Sequence, residues 1–111
     1  SFWQPYGFDN AILKIKKSIQ SISLTAKEIN AELYLIIYPW PAQIKYGDTK
    51  HEPYWENFSN LNNINLINLY NSFQTENKRE FIFENFIYGD IHWNKKGTLK
   101  IFNEIIGKIK F

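Results

Sequence analysis

An unbroken apolar run, Leu33–Tyr38, limits this 111-residue chain to few kinds of fold. Pro39 follows the run, and proline ends a strand there because it has no backbone N–H and a fixed φ. Polar and apolar residues do not alternate along the run, so both faces of the strand are expected to be buried. Such strands belong to parallel sheets that are covered by helices. The run therefore predicts an α/β fold.

Amphipathic helices are predicted at both ends of the chain. Asp9 or Asn10 can cap the first helix, in which apolar residues recur at intervals of three and four. These residues are Ile12, Ile15, Ile19, Ile22, Ala26 and Ile29. The closing helix is expected from about Asn94 to Ile109. Its single apolar face is predicted to contain Leu99, Phe102, Ile105, Ile106 and Ile109.

Between these helices, the pattern predicts a second strand over Ile64–Tyr70. Residues 42–60 are expected to form a long loop with a short helix around Tyr54–Phe58. Another short helix is expected over Ser72–Asn77, and Phe81–Tyr88 is predicted to be extended. This order of elements matches the back half of a doubly wound domain. We therefore expect an incomplete three-layer α/β/α sandwich with a parallel sheet, of the flavodoxin-like kind.

Composition and net charge exclude several classes of protein and of binding site. A net charge of +2 is too small to indicate binding to nucleic acid or to an anionic membrane surface. The absence of cysteine excludes disulfides and zinc–thiolate sites. No apolar run reaches the length of a membrane span, and Ser1–Pro5 is not the start of a signal peptide. We expect no cofactor.

A single domain is predicted over residues 1–111, since no linker or repeat divides the chain. Methionine is absent, even at position 1, so we expect a processed product or an excised piece of a longer protein. The first eight residues are expected to be aromatic and extended.

The segment 89–97 places a base and a carboxylate at the mouth of the closing helix. Imidazole titrates near neutrality, so His92 is suited to general base work. Asp90, two residues away on a tight turn that Gly89 permits, can reach one ring nitrogen. Asn94 is predicted to cap the helix, and Gly97 to let another backbone approach its first turn. The plain alternative is a pair of polar loop residues near a helix cap.

A metal site is a second alternative, for which the chain offers only two histidines. His51 and His92 could combine with Asp48, Glu52 or Asp90 in a mixed nitrogen and oxygen site. Neither histidine belongs to a helical i, i+4 ligand pair. We therefore expect no metal, and His51 is predicted to be a surface loop residue.

Aromatic residues are concentrated in the predicted loops, where flat rings can stack on sugar rings. They are Trp40, Tyr46, Tyr54, Trp55 and Trp93. The plain alternative is that these rings pack the loops against the sheet. Trp40, Trp55 and Trp93 are our candidates for substrate binding. Lysines and aromatic residues do not share a face, so a nucleic-acid surface is not supported.

Gly89–Gly97, ahead of a terminal amphipathic helix, resembles the last conserved block of the SGNH (GDSL-like) hydrolases. A strand ending in Tyr38–Pro41, followed by the strand segment Asn68–Tyr70, resembles the middle of the same proteins, especially those tied to bacterial envelope polysaccharides. The resemblance covers roughly residues 30–109. It implies that Asp90 is the carboxylate and His92 the general base of a Ser-His-Asp triad.

The resemblance also implies what lies outside this sequence. The Gly-Asp-Ser block of the family is missing, as are its oxyanion-hole blocks, and the serines present lack the glycines of a nucleophile elbow. We therefore expect the C-terminal part of a larger serine esterase, O-acyltransferase or deacetylase. Its substrates would be ester-linked acyl groups, including those on carbohydrate. Relatives of this kind are often exported or associated with membranes.

Two further expectations concern partners. The missing N-terminal part of the same domain would cover an exposed sheet edge and apolar surface, and without it the chain is expected to self-associate through that edge. The alternative function is a non-catalytic α/β module that binds a polysaccharide or a partner chain through its aromatic loops.

Overall fold

The structure, a computed structural model, describes residues 7–109, with side chains described from Asp9 onward. The helices and strands, in chain order, are α1 (Gly7–Glu28), β1 (Tyr34–Ile37), α2 (Pro41–Tyr46), α3 (His51–Leu61), β2 (Asn65–Asn68), α4 (Lys78–Asn85) and α5 (Lys95–Lys108). A 3₁₀ turn at Asn71–Phe73 lies between β2 and α4. Within the described range, every helix is too short or too polar to cross a membrane.

The two strands form a small parallel sheet, in which Tyr34 lies opposite Asn65 and Ile37 opposite Asn68. The predicted α/β class and the parallel pairing are therefore confirmed. No third strand joins the sheet within residues 7–109. The full three-layer sandwich stays a prediction.

Side chains on the two faces of β2 contact different helices, because successive residues of a strand point to opposite faces. Ile67 is buried in the main core cluster, which residues of α5 also contact. The next residue, Asn68, points away from that cluster. Its side-chain amide donates to the carboxylates of Glu52 and Glu56 in α3, at 2.8 and 3.2 Å.

Helix α5 divides its apolar residues between the core and the surface. Ile101 and Ile105, together with Ile109 just after the helix, pack against the core cluster. The exposed residues are Leu99, Phe102 and Ile106. The prediction of one apolar face was therefore wrong in part, because it grouped these three with Ile105 and Ile109. Two apolar stripes run along the helix, and the described residues cover only one of them.

Residues 41–61 are more helical than the predicted long loop. Pro41 begins α2, where its missing N–H leaves no hydrogen bond unmade. Gly47, with φ of 64°, ends that helix in the left-handed conformation. The short helix expected around Tyr54–Phe58 is the middle of α3, which extends from His51 to Leu61.

The prediction of an extended segment over Phe81–Tyr88 was wrong, since most of it lies in α4. The Asn77 side chain accepts a hydrogen bond from the Glu80 N–H at 3.2 Å and so caps this helix. Phe81 packs against the core while Phe83 is exposed, so apolar residues occur on both sides of the helix although only one side is covered. The helix expected over Ser72–Asn77 is reduced to the 3₁₀ turn.

Helix α1 begins at Gly7, two residues before the predicted cap at Asp9. Residues 7 and 8 are therefore helical and not extended, and residues 1–6 of the expected extended start lie outside the described range. The predicted first helix is present, but its stripe of apolar residues was expected to be buried, and this was wrong in part, because Ile15 and Ile22 are exposed.

The chain exposes more surface than a compact domain of its mass. Its accessible surface is 8415 Å², whereas a folded monomer of 13.3 kDa exposes about 6,400 Å². The radius of gyration is 15.8 Å, against about 13 Å for a compact domain of this length. Apolar surface on α1 and α5 is thus left uncovered by the described residues.

Gly97, in the first turn of α5, provides a test of how closely α5 packs against the end of α4. An added Cβ would collide with the carbonyl oxygen of Asn85 and lie 2.8 Å from Cε3 of Trp93. We expect Gly97→Ala to lower the free energy of unfolding by about 2 kcal/mol, as overpacking does, in urea titrations followed by circular dichroism.

Gly107, in the same helix, is the matched control, since nothing lies within 4 Å of a Cβ added there. Gly107→Ala should raise the free energy of unfolding by about 0.5 kcal/mol through helix propensity and a less flexible unfolded chain. Equal effects of the two substitutions would contradict the close approach at Gly97.

Candidate active site

The turn that carries Asp90 and His92 lies between α4 and α5. Gly89 has a φ of 73°, in the left-handed region that favours glycine, as predicted for a sharp turn. The Asp90 N–H donates to the carbonyl of Ile87, and the Ile87 N–H donates to the carbonyl of His92, both at 2.9 Å. These bonds close the turn on itself.

A single carboxylate oxygen, Oδ1 of Asp90, is within hydrogen-bond distance of three nitrogen atoms. It lies 2.6 Å from Nδ1 of His92 and accepts from the backbone N–H of Ile91 at 2.6 Å and of His92 at 3.1 Å. The predicted reach of the carboxylate to a ring nitrogen is therefore confirmed. A contact of this length is typical of a charge-assisted hydrogen bond, in which Nδ1 carries the proton and donates. Nε2 is then the ring nitrogen left to accept a proton.

The hydrogen bonds of this turn hold Asp90 in its charged form. The bond with the His92 ring lowers the pKa of the Asp90 carboxyl below its ordinary value of 3.8, and the backbone N–H groups of His92 and Ile91 act in the same direction. The carboxylate is therefore ionised at neutral pH. A fixed negative charge beside Nδ1 is what orients an imidazole that works as a base and stabilises its cation.

Asn94 connects the end of α4 to the beginning of α5. Its Oδ1 accepts from the Gly97 N–H at 2.9 Å, which confirms the predicted cap. Its side-chain amide donates to the carbonyls of Glu84 and Phe86, at 2.8 and 3.3 Å. Its own N–H donates to the carbonyl of Asn85 at 2.9 Å. The turn with Asp90 and His92 is thus held between two helix ends.

Trp93, one of the three candidates for substrate binding, packs into the interior. Its ring stacks on Phe86, with centroids 4.0 Å apart, and contacts Phe73 at 4.9 Å. It also contacts Tyr38, just beyond β1, at 5.8 Å. The indole Nε1 is buried and has no hydrogen-bond partner among the described residues. Trp93 thereby brings the carboxyl end of β1 close to the turn.

Trp40 and Trp55, the other two candidates, lie in one groove. This edge groove, of about 490 Å³, also borders β1 and α1. Trp40 is 52% exposed and also borders a second cleft, which reaches Asp90. Trp55 is half-buried and makes edge-on ring contacts with Tyr54 and Phe58. The structure thus brings Trp40, but not Trp55, to the cleft that Asp90 lines.

The edge groove runs along β1, where Leu35, Ile36 and Ile37 line it. The carbonyls of Leu33 and Ile37 accept from N–H groups of the segment containing β2. Since alternate residues of a strand point their backbone groups to opposite sides, those of Ile36 face away from β2, and Ile36 also lines the groove. Ile15 and Ile19 of α1 line the same groove. The sheet is therefore open on this side within residues 7–109.

No serine or threonine hydroxyl of the described residues hydrogen-bonds to His92. Ser72 donates to Glu104 at 3.1 Å, and Ser59 is buried without a hydrogen-bond partner in the same part of the chain. His51 begins α3 and lines the edge groove, away from Asp90. In the described range no three His, Cys, Asp or Glu residues are grouped so that they could hold a metal ion.

Two features of the site were missed at the level of sequence. Tyr70 is buried at the end of the edge groove, and burial raises the pKa of its hydroxyl above the ordinary 10.0, opposed by a hydrogen bond with Gln43. Arg79 lines the cleft that reaches Asp90. Arg79 is the only arginine of the chain, which could have singled it out. It was not linked to the Asp90 turn because the segment between them was predicted to be extended and not helical.

No family model, curated protein or solved structure matches this chain. The geometry of the site is therefore the basis for assigning a function.

The hydrogen bond between Asp90 and His92 can be tested by titration. In His92→Ala the pKa of Asp90 should rise toward 3.8, because the largest cause of its lowering is removed while the backbone bonds remain. A lowered pKa favours the folded chain above pH 3.8, and this contribution is lost as the pH falls through the folded-state value. The measurement is ¹³C NMR of the Asp90 carboxyl against pH.

His51→Ala serves as the control for that titration, since His51 is the only other histidine and lies away from the turn. It should leave the titration of Asp90 unchanged. An Asp90 pKa that is the same with and without His92 would rule out the bond.

Proposed function

We propose that this chain supplies the Asp-His half of a Ser-His-Asp triad in a serine esterase, O-acyltransferase or deacetylase of the SGNH type. The observation that carries the proposal is the 2.6 Å contact between Asp90 Oδ1 and His92 Nδ1 on a turn fixed between two helix ends. His92 is 74% exposed, so its other ring nitrogen is accessible to an incoming group.

His92 acts first as a base and then as an acid. Nε2 takes the proton of a serine hydroxyl as the serine oxygen attacks the ester carbonyl, and the imidazolium is stabilised by Asp90. The tetrahedral intermediate collapses, and the leaving alkoxide takes the proton from Nε2. Water, or a sugar hydroxyl in a transferase, then attacks the acyl-serine. Nε2 accepts its proton and returns it to the serine, which leaves as the acyl bond breaks.

The serine comes from outside residues 7–109, on a strand that adds to β1 in the edge groove. The carboxyl ends of parallel strands meet at one edge of a sheet. The contact between Tyr38 and Trp93 places that edge beside the His92 turn. The open side of β1 and the excess apolar surface support this placement. Such a strand would also extend the sheet toward a three-layer sandwich.

A polysaccharide-binding module is the second candidate. The observation that favours it is the placement of Trp40 and Trp55 in one groove, with the polar side chains of Gln43 and His51 beside them. A sugar stacked on these rings would form no backbone hydrogen bonds with β1. The two candidate functions therefore differ in whether the Ile36 N–H is hydrogen-bonded and so protected from exchange.

Substitution of His92 tests the catalytic role. In the longest polypeptide that the gene encodes, His92→Ala should lower turnover of p-nitrophenyl acetate by about 10³-fold or more. Asp90→Asn should be less damaging, because Asp90 acts through the orientation and charge of the imidazole. His51→Ala, the matched histidine control, should lower turnover far less than His92→Ala, because His51 lines the edge groove but lies away from the Asp90 turn. Near-normal turnover in His92→Ala would exclude His92 as the base.

Amide hydrogen exchange tests the added strand. The Ile36 N–H should exchange fast in dilute solutions of residues 1–111 and slowly in the longer polypeptide, where a strand covers the edge. The Leu69 N–H, which donates to the Ile37 carbonyl at 2.9 Å, should be protected in both and is the internal reference.

Other occupants of the edge give different exchange patterns. Protection of Ile36 that grows with the concentration of residues 1–111 would identify pairing between copies at this edge. Fast exchange of Ile36 in the longer polypeptide would contradict the added strand.

A further inference from the structure

The second cleft, here named the α4 cleft, lies between the start of α2, the side of α4 and the turn after it. It has a volume of about 560 Å³ and reaches Asp90. Five of the large side chains on its walls are exposed by 45% to 92%, and they are Trp40, Phe83, Ile87, Tyr88 and Ile91. A concave apolar surface of this kind marks a binding site more often than a bare stretch of surface.

Opposite charges lie at the two ends of the α4 cleft. Arg79 is in the first turn of α4, whereas Asp90 follows the last turn. From Arg79 to Phe86 the helix advances roughly 10 Å. Arg79 forms no ion pair with another described residue, in contrast to His92, which pairs with Asp90, and Lys96, which pairs with Glu84. The cleft is thus apolar along its length, with an available cation far from the candidate active site.

We propose that the α4 cleft binds the acyl chain of the ester substrate, and that this chain ends in an anionic group that pairs with Arg79. The inference rests on the proposed function and names the substrate class for it. The ester end of such a substrate is uncharged, so it tolerates the Asp90 carboxylate, whereas a second carboxylate at that end would be repelled. The planar guanidinium can hold a terminal carboxylate through two hydrogen bonds.

Three matched probes test both ends of the cleft by isothermal titration calorimetry with residues 1–111. Monomethyl suberate has an ester at one end and a carboxylate at the other, and its chain spans roughly 10 Å. Suberate replaces the ester with a second carboxylate, and dimethyl suberate has no charge. We expect monomethyl suberate to bind about tenfold more tightly than either of the others.

Variants show which side chains are responsible. Arg79→Gln should reduce the affinity for monomethyl suberate to that for dimethyl suberate, and Arg79→Lys should restore part of the loss. Phe83→Ser should weaken all three probes. Phe102→Ser, also exposed but on α5 and outside the cleft, is the matched control and should change none of them. Circular dichroism checks that each variant folds.

Equal affinity for the three probes would overturn the proposal, as would an affinity that is unchanged in Arg79→Gln. Absence of saturable binding, or an equal loss in Phe102→Ser, would overturn it as well. Binding requires no turnover, so its failure is distinguishable from failure of the catalytic proposal, which is measured by ester hydrolysis in His92→Ala.

Discussion

The close approach of α5 to the end of α4 holds the candidate active site together. Gly97 allows its backbone to meet the carbonyl of Asn85, and Asn94 binds backbone groups of both helix ends. Because the turn with Asp90 and His92 is only a few residues long, fixing its two ends fixes the turn. The packing of the two helices therefore brings the Asp90 and His92 backbones close enough for the carboxylate and imidazole to meet.

Trp93 connects the turn with Asp90 and His92 to the sheet. Its ring lies on Phe86 and reaches Tyr38, so the His92 turn and the carboxyl end of β1 form one continuous packed unit. The side of β1 that faces away from β2 has no neighbouring strand within residues 7–109, and Ile15 and Ile19 of α1 line the groove along β1. The described chain thus presents the hydrogen-bonded Asp90–His92 pair near the carboxyl end of β1, in a sheet that has no strand beyond β1 within residues 7–109.

Features that depend on a few adjacent residues were predictable from sequence. The cap at Asn94, the turn at Gly89 and the reach of Asp90 to His92 are local, and so is the end of β1 before proline. Features that depend on which part of the fold covers a given side chain were not predictable from sequence. The α4 segment was predicted to be extended, because an apolar residue on its covered side, such as Phe81, looks the same in sequence as one on its exposed side, such as Phe83. The division of the α5 face and the interior packing of the Trp93 ring have the same origin.

Solvent exposure links the Asp90–His92 pair to the two surfaces beside it. In water, the attraction between an exposed carboxylate and an imidazolium is weak and screened by salt, whereas the same pair in a water-poor site interacts several-fold more strongly. His92 is 74% exposed in the described chain. A strand in the edge groove and an acyl chain in the α4 cleft would both displace water near the turn. In the proposed enzyme, a segment that covers β1 would therefore also strengthen the influence of Asp90 on His92, because it would exclude water near the turn.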